Sequence, residues 1–219
     1  MSKEIESKQS SEGQQGVTRR GFLKGAGLTA AGAAILDAGL LGASEAAATA
    51  PEPKVIGPGR VSVSLRINNQ LRRVEVEPRT TLAEALRFEL GLTGTKVVCD
   101  RGSCSACTVW VDGTPVCSCM TLAVDVGARA VTTIEGLAQK NGERLHPVQE
   151  AFIEYDAMQC GFCTPGMIMS CAALLKHNPR PTLEDVQTAT SGNLCRCGTY
   201  PKVFEATLAA AQGGRKKGE

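Results

Sequence analysis

The stretch CDRGSCSACTVWVDGTPVCSC, residues 99 to 119, places five cysteines in twenty-one positions. Cys99-x4-Cys104-x2-Cys107 is the spacing with which one tight loop supplies three thiolates to a plant-type [2Fe–2S] cluster, the fourth coming from further along the chain. Thiolates suit iron and sulfide because all are soft partners. Cys117 and Cys119 both lie within reach as the fourth, and in an extended segment residues two apart point to the same face. Gly102, inside the loop, is expected to adopt a backbone conformation closed to other side chains.

A second group combines Cys160-x2-Cys163 in QCGFCTP with Cys195-x-Cys197 in GNLCRCGTYP. Two close pairs about thirty residues apart fit a structural zinc site with four cysteine ligands as well as a second iron–sulfur site. Each pair precedes a predicted helix, whose N-terminal N–H groups would stabilise thiolates. Disulfides are a further reading for any exported chain with ten cysteines. Cys171 falls mid-helix and is expected to pack. His146 and His177 are isolated, and no carboxylate pair flanks a nucleophile, so no catalytic constellation stands in this chain. Both histidines are expected at the surface or at helix caps.

These cysteines all follow residue 98 in a chain of 219 residues that is 42% apolar but only 4% aromatic. Such a composition gives one or two domains with modest cores that gain from a staple. The chain opens differently. Residues 1–17 are polar, Thr18-Arg19-Arg20-Gly21-Phe22-Leu23-Lys24 follows, and an Ala/Gly/Leu-rich run extends to about Leu41. This order, with its paired arginines, reads as a twin-arginine export signal over residues 1–50. It implies periplasmic delivery of an already folded protein by the twin-arginine machinery, with cleavage near Ala46-Ala47-Ala48 or Ala48-Thr49-Ala50. A membrane anchor is the competing reading, since the run approaches the roughly 20 residues needed to span a bilayer. Asp37 and the glycines at 25, 27, 32 and 39 count against it, so no permanent span is expected. Export in the folded state lets a cofactor enter before the thiols meet an oxidant, which weakens the disulfide reading. The net charge is +2, no basic patch calls for nucleic acid, and RKK at 215–217 reads as a solvated tail.

The elements that must position the cysteines follow from periodicity. Residues 51–59 form a proline-bearing linker. VSVSLRI and LRRVEVE alternate around Asn68-Asn69 and predict a hairpin. Thr81 and Glu84 fit a capping box before a helix over 82–90. After the cysteine loop come TVWV, a turn at Asp112-Gly113, a short strand toward Val116, and a strand within 128–134. From about 145 the pattern turns helical: His146-Pro147 to Asp156, Thr164-Pro165 to Lys176, Thr182 to about Thr190, and a last helix from Tyr200-Pro201. The expected division is 60–136 for a mixed β domain, 145–212 for a four-helix domain, and 213–219 for a polar tail, with the polar GLAQKNGERL between the domains.

From Val61 to about Ala211 the chain resembles the small iron–sulfur subunit of the molybdenum hydroxylases, the xanthine dehydrogenase and aldehyde oxidase family. The resemblance lies in KVVCDRGSCSACTV, TTIEGL, HPVQEAF, QCGFCTPGMIMS and GNLCRCGTYP, in order and at similar spacing. It implies an α+β fold, an N-terminal plant-type ferredoxin-like β-grasp domain followed by an all-α four-helix domain. It implies two [2Fe–2S] clusters, the first on Cys99, Cys104, Cys107 and Cys119, the second on Cys160, Cys163, Cys195 and Cys197. It further implies a large molybdopterin-binding partner, touched by Gln159 and approached by Cys197, and an FAD-binding medium subunit or a haem cytochrome as acceptor. On this resemblance the chain conducts electrons in the oxidation of aldehydes or, alternatively, of N-heterocycles such as isoquinoline or xanthine. A free-standing ferredoxin-like carrier and a zinc-stapled adaptor are the competing readings. The family usually has glycine where this chain has Val98 and Ser105. That departure leads to the expectation of an altered loop backbone, altered hydrogen bonds to sulfur and a shifted potential at the first cluster.

Overall fold

The computed structural model describes residues 56–138 and 144–213. The expected export signal, most of the expected linker, nearly all of the expected polar tail and part of the segment expected between the domains lie outside the described residues. The described residues belong to one compact unit.

Strands β1 (Val61–Ile67) and β2 (Gln70–Val76) form the expected hairpin, in register from Val61 opposite Val76 to Ile67 opposite Gln70. Asn68 and Asn69 turn it with φ of 49° and 65°, the left-handed pair that a two-residue hairpin of this hand requires. The expected capping box is present: Thr81 Oγ1 accepts from the Glu84 N–H at 3.2 Å, and Glu84 Oε2 accepts from the Thr81 N–H at 2.8 Å. It starts α1 (Leu82–Glu84), which continues as a π-helical turn over Ala85–Glu89. After the cysteine loop, β3 (Thr108–Val111) and β4 (Thr114–Cys117) pair antiparallel around a second left-handed turn at Asp112-Gly113. A short helix absent from the sequence reading, α2 (Ala123–Val126), precedes β5 (Ala130–Thr132).

The sheet order is β2-β1-β5-β3-β4, with β1 parallel to β5 and the other neighbours antiparallel. Leu65, Ile67, Val74, Val76, Val109, Val111 and Val131 bury one face of the sheet against Leu82, Ala85 and Leu86 of the helix. This is the β-grasp arrangement.

Four helices follow: α3 (Pro147–Glu154), α4 (Thr164–His177), α5 (Leu183–Thr190) and α6 (Tyr200–Ala211). Residues Gly166 to Ala173 of α4 are buried without a break, as a helix surrounded by partners must be. Phe152, Met167, Met169, Val203 and Ala206 centre this core, and Trp110 of β3 belongs to it too. The period of two along β3 sends Val109 and Val111 into one core and Trp110 into the other. Of the described helices, none is long and apolar enough to cross a membrane.

Candidate metal centres

The first cysteine loop is wound by left-handed residues. Asp100, Gly102 and Ser105 have φ of 52°, 73° and 52°. Gly102 behaves as expected, and a Cβ there would also meet Met120 Cγ at 3.0 Å. Ser105 itself holds the left-handed conformation that glycine adopts freely. Three hydrogen bonds to its carbonyl hold it: Thr108 N–H at 3.3 Å, Thr108 Oγ1–H at 2.7 Å and Asn193 Nδ2–H at 3.2 Å. Val98 is not in the left-handed region, so no backbone demand for glycine exists at that position. Its side chain is 58% exposed.

The thiols of this loop come in pairs. Cys99 lies within hydrogen-bond reach of Cys104, and Cys107 of Cys119. Cys104, Cys107 and Cys119 are buried. Burial pushes the Cys104 and Cys107 thiols up. The Arg101 backbone N–H, with help from the Cys104 thiol, brings Cys99 down to about 7. Cys119 sits in the 3-10 turn Ser118–Met120, which the Ser118 hydroxyl pins to Cys107 O at 2.7 Å. Cys117 is half-buried, with its sulfur 3.7 Å from Ser105 Oγ.

The second group pairs across the chain. Cys160 reaches Cys197, and Cys163 reaches Cys195. Cys163 caps the N-terminus of α4, and Thr164 opens the helix. Burial pushes Cys163 up to about 12. At Cys195 burial also pushes upward, but the Thr199 hydroxyl and backbone, the Cys163 thiol and the Cys197 backbone outweigh it and bring the thiol down to about 7. The Phe162 backbone N–H lowers Cys160. Tyr200 ties the segment together, its hydroxyl donating to Asn193 O at 3.1 Å and accepting from the Cys195 N–H at 2.8 Å. Gln159 is exposed beside the exposed Cys160. Cys171 is wholly buried in α4, as a packing residue is.

In each group, then, the four assigned thiols lie as two pairs. Two pairs suit two irons, each needing two thiolates, better than they suit one tetrahedral zinc. The two groups are also joined. The Leu194 N–H donates to Cys104 O at 3.1 Å, and a cavity of about 500 Å³ is lined by Cys99, Cys104, Cys160, Cys163 and Cys195 together with Val98, Phe162, Leu194 and Arg196. Sequence reasoning missed the Asn193 and Tyr200 contacts. Their only sequence signal was position within GNLCRCGTYP.

A fold of ferredoxin-like sheet and helical bundle with two such thiol groups defines an iron–sulfur electron-transfer protein. Residues 65–133 match the 2Fe-2S iron-sulfur cluster binding domain family, and residues 133–208 match the [2Fe-2S] binding domain family. The second match covers the cysteines for which zinc was the competing reading. The chain is 46% identical over 171 residues to the nicotine 6-hydroxylase small subunit of Paenarthrobacter nicotinovorans, covering 78% of this chain and 99% of that one. It is 40% identical over 210 residues to the aldehyde oxidoreductase iron-sulfur-binding subunit PaoA of Escherichia coli K12, covering 89% and 88%. Among solved structures it is similar to quinoline 2-oxidoreductase from Pseudomonas putida 86, with a TM-score of 0.67 and 43% identity over 72% of this chain and 98% of that one. The chain belongs to the small [2Fe–2S] subunits of the molybdenum hydroxylase family, the xanthine dehydrogenase and aldehyde oxidase relatives, and is an electron-transfer subunit of an oxidoreductase complex.

Proposed function

We propose that this chain serves an exported molybdenum hydroxylase that oxidises aldehydes to carboxylic acids. The observation that carries the wiring is the Leu194 N–H to Cys104 O bond of 3.1 Å. It joins a ligand position of one site to the neighbour of Cys195 in the other. The two [2Fe–2S] clusters would supply one-electron reduction and reoxidation, the site of Cys160, Cys163, Cys195 and Cys197 ahead of that of Cys99, Cys104, Cys107 and Cys119, between molybdopterin in a large subunit and FAD or haem in a further partner.

This chain's residues divide the work. Cys160 is exposed, Cys197 is half-exposed and Gln159 is exposed beside them, which leaves them free to meet the molybdopterin-binding partner. Val98, Phe162 and Leu194, exposed by 58%, 53% and 57%, form an apolar rim around the shared cavity. Such a rim fits a stable subunit interface better than the transient docking of a free carrier.

For aldehydes the support is the match to the Escherichia coli protein. It covers 89% of this chain, while the residues after 55 make up only about three quarters of it, so the match extends into the leader. The paired arginines Arg19 and Arg20 in that leader support export of the finished complex by the twin-arginine route to the periplasm. The second reading, N-heterocycle hydroxylation, draws support from the 46% identity to the nicotine 6-hydroxylase small subunit.

Pull-down of the tagged chain from the exported fraction, with iron, molybdenum and zinc analysis, EPR, and turnover of aldehydes against N-heterocycles, tests the proposal. Expected are a molybdenum-bearing partner, about four irons per chain as two [2Fe–2S] clusters require, and reduction of both EPR signals by an aldehyde. Reduction by an N-heterocycle alone would establish the second reading. Iron without molybdenum or partners would point to a free carrier, and zinc alone would overturn all three.

A further inference from the structure

The first cysteine loop holds one thiol more than the four assigned to it, and that thiol does more than pack. Cys171 shows what packing looks like here: 0% exposed, deep in the helical core, beside the Thr207 hydroxyl. Cys117 also packs against the buried cluster of Ala83, Cys107 and Cys119, but it is only half-buried and stands at the cysteine loop. It ends β4 opposite Thr108 and turns its sulfur into the loop, 3.8 Å from Gly102 O, 3.7 Å from Ser105 Oγ and within hydrogen-bond reach of the Cys107 thiol.

The Ser105 hydroxyl is held in place from the main chain outward. The left-handed backbone at residue 105 and the three hydrogen bonds to its carbonyl fix the Cα–Cβ direction, and the hydroxyl meets the Cys117 sulfur. The Cys117 S–H has two acceptors in reach, the neutral Gly102 carbonyl and Cys107 Sγ. When Cys107 is a thiolate it becomes the charged acceptor, and a charge-assisted hydrogen bond is about twice as strong as a neutral one. The thiol then turns toward Cys107.

We propose that Ser105 and Cys117 form a relay of two donors, Ser105 O–H to Cys117 Sγ and Cys117 S–H to Cys107 Sγ, that sets the reduction potential of the first site. This rests on the assignment of Cys107 and Cys119 as ligands. Donors to a ligand sulfur withdraw charge from it and favour the reduced, more negative form, which raises the potential. Cys117 is a positioning residue that acts through Cys107, and Ser105 acts through Cys117.

The test is redox-titrated EPR of the assembled protein for Cys117→Ala, Ser105→Gly, the double variant and Cys117→Ser, with iron counted in each. Ser105→Gly keeps the left-handed backbone and the carbonyl contacts and deletes only the hydroxymethyl group. Expected are full iron in all four and a lower midpoint for the first-site signal in Cys117→Ala. Ser105→Gly should give a smaller decrease in the same direction, the double variant should match Cys117→Ala alone, and Cys117→Ser should recover much of the wild-type value. The second-site signal should titrate as in wild type throughout. An unchanged midpoint in Cys117→Ala with full iron would overturn the relay, as would additive shifts in the double variant, which would mean that the serine acts by itself. Loss of two irons and of the first-site signal in Cys117→Ala would instead make Cys117 a ligand and overturn the assignment of Cys119.

Discussion

The indole N–H of Trp110 donates to the carbonyl oxygen of Met169 at 2.9 Å, so a strand of the sheet is hydrogen-bonded to the middle of the most buried helix. The ring is 8% exposed and carries the Lys176 ammonium 5.5 Å from its centroid. Trp110→Phe removes the donor and leaves a gap in the helical core, which should cost about 1–3 kcal/mol. Urea unfolding followed by circular dichroism measures it, and a change under about 0.5 kcal/mol would mean that the contact does not join the two parts.

Gly166 is the second joint. A Cβ there would lie 2.3 Å from Ser105 O and 3.0 Å from Ala106 Cα, both backbone atoms, so neither can swing aside. Gly166→Ala should destabilise by about 1–3 kcal/mol as overpacking does and should disturb the first-site EPR signal although residue 166 belongs to α4. Wild-type stability and an unchanged spectrum would show that the helix and the loop can separate freely.

The cysteines give a paired prediction. Cys163→Ala removes a thiol paired with Cys195 and should lose about two of four irons per chain, those of one [2Fe–2S] cluster. Cys171→Ala deletes a buried sulfur that touches no other cysteine among its described contacts and should keep all the iron at a cost of about 1 kcal/mol. Iron analysis separates the two, and iron loss in Cys171→Ala would contradict its packing role.

His146 ties stability to pH. Its Nδ1 accepts from the Val148 N–H at 3.2 Å while Gln149 Oε1 accepts from the His146 N–H at 2.9 Å, so the histidine caps α3 as expected. Burial holds its pKa below the usual value, against the opposing pull of Glu150. The unfolded chain therefore takes up the proton near pH 6.5 before the folded one does. The cap's contribution is complete above that pH and falls as pH drops toward the folded pKa, because a protonated Nδ1 cannot accept. His146→Ala should cost about 0.5–2 kcal/mol at pH 8. His146→Asn should keep most of the cap and lose its pH dependence between about 6.5 and lower pH. Thermal melts of wild type and His146→Asn across that range check the sign, and parallel curves would rule it out.

Local spacing determined much of this protein. A cluster loop, a two-residue hairpin turn and a capping box are each set within a few residues, where chain geometry leaves few alternatives. The hairpins at Asn68-Asn69 and Asp112-Gly113, the cap at Thr81, the four later helices and both cysteine groups were therefore legible in the sequence. The α2 helix was not, because Ala123–Val126 is too short to show a period.

Only the tertiary structure decided which thiol meets which, since Cys160 with Cys197 and Cys163 with Cys195 are contacts across more than thirty residues. It also decided that Trp110 serves the helical core rather than the sheet's own. It placed Cys117, packed as expected against the cluster of Ala83, Cys107 and Cys119, with its sulfur beside Ser105 Oγ, and it showed that serine holds a left-handed place that glycine adopts freely. Each of these depends on surfaces brought together from distant parts of the chain, where packing and shared hydrogen bonds, rather than local propensity, choose the partner.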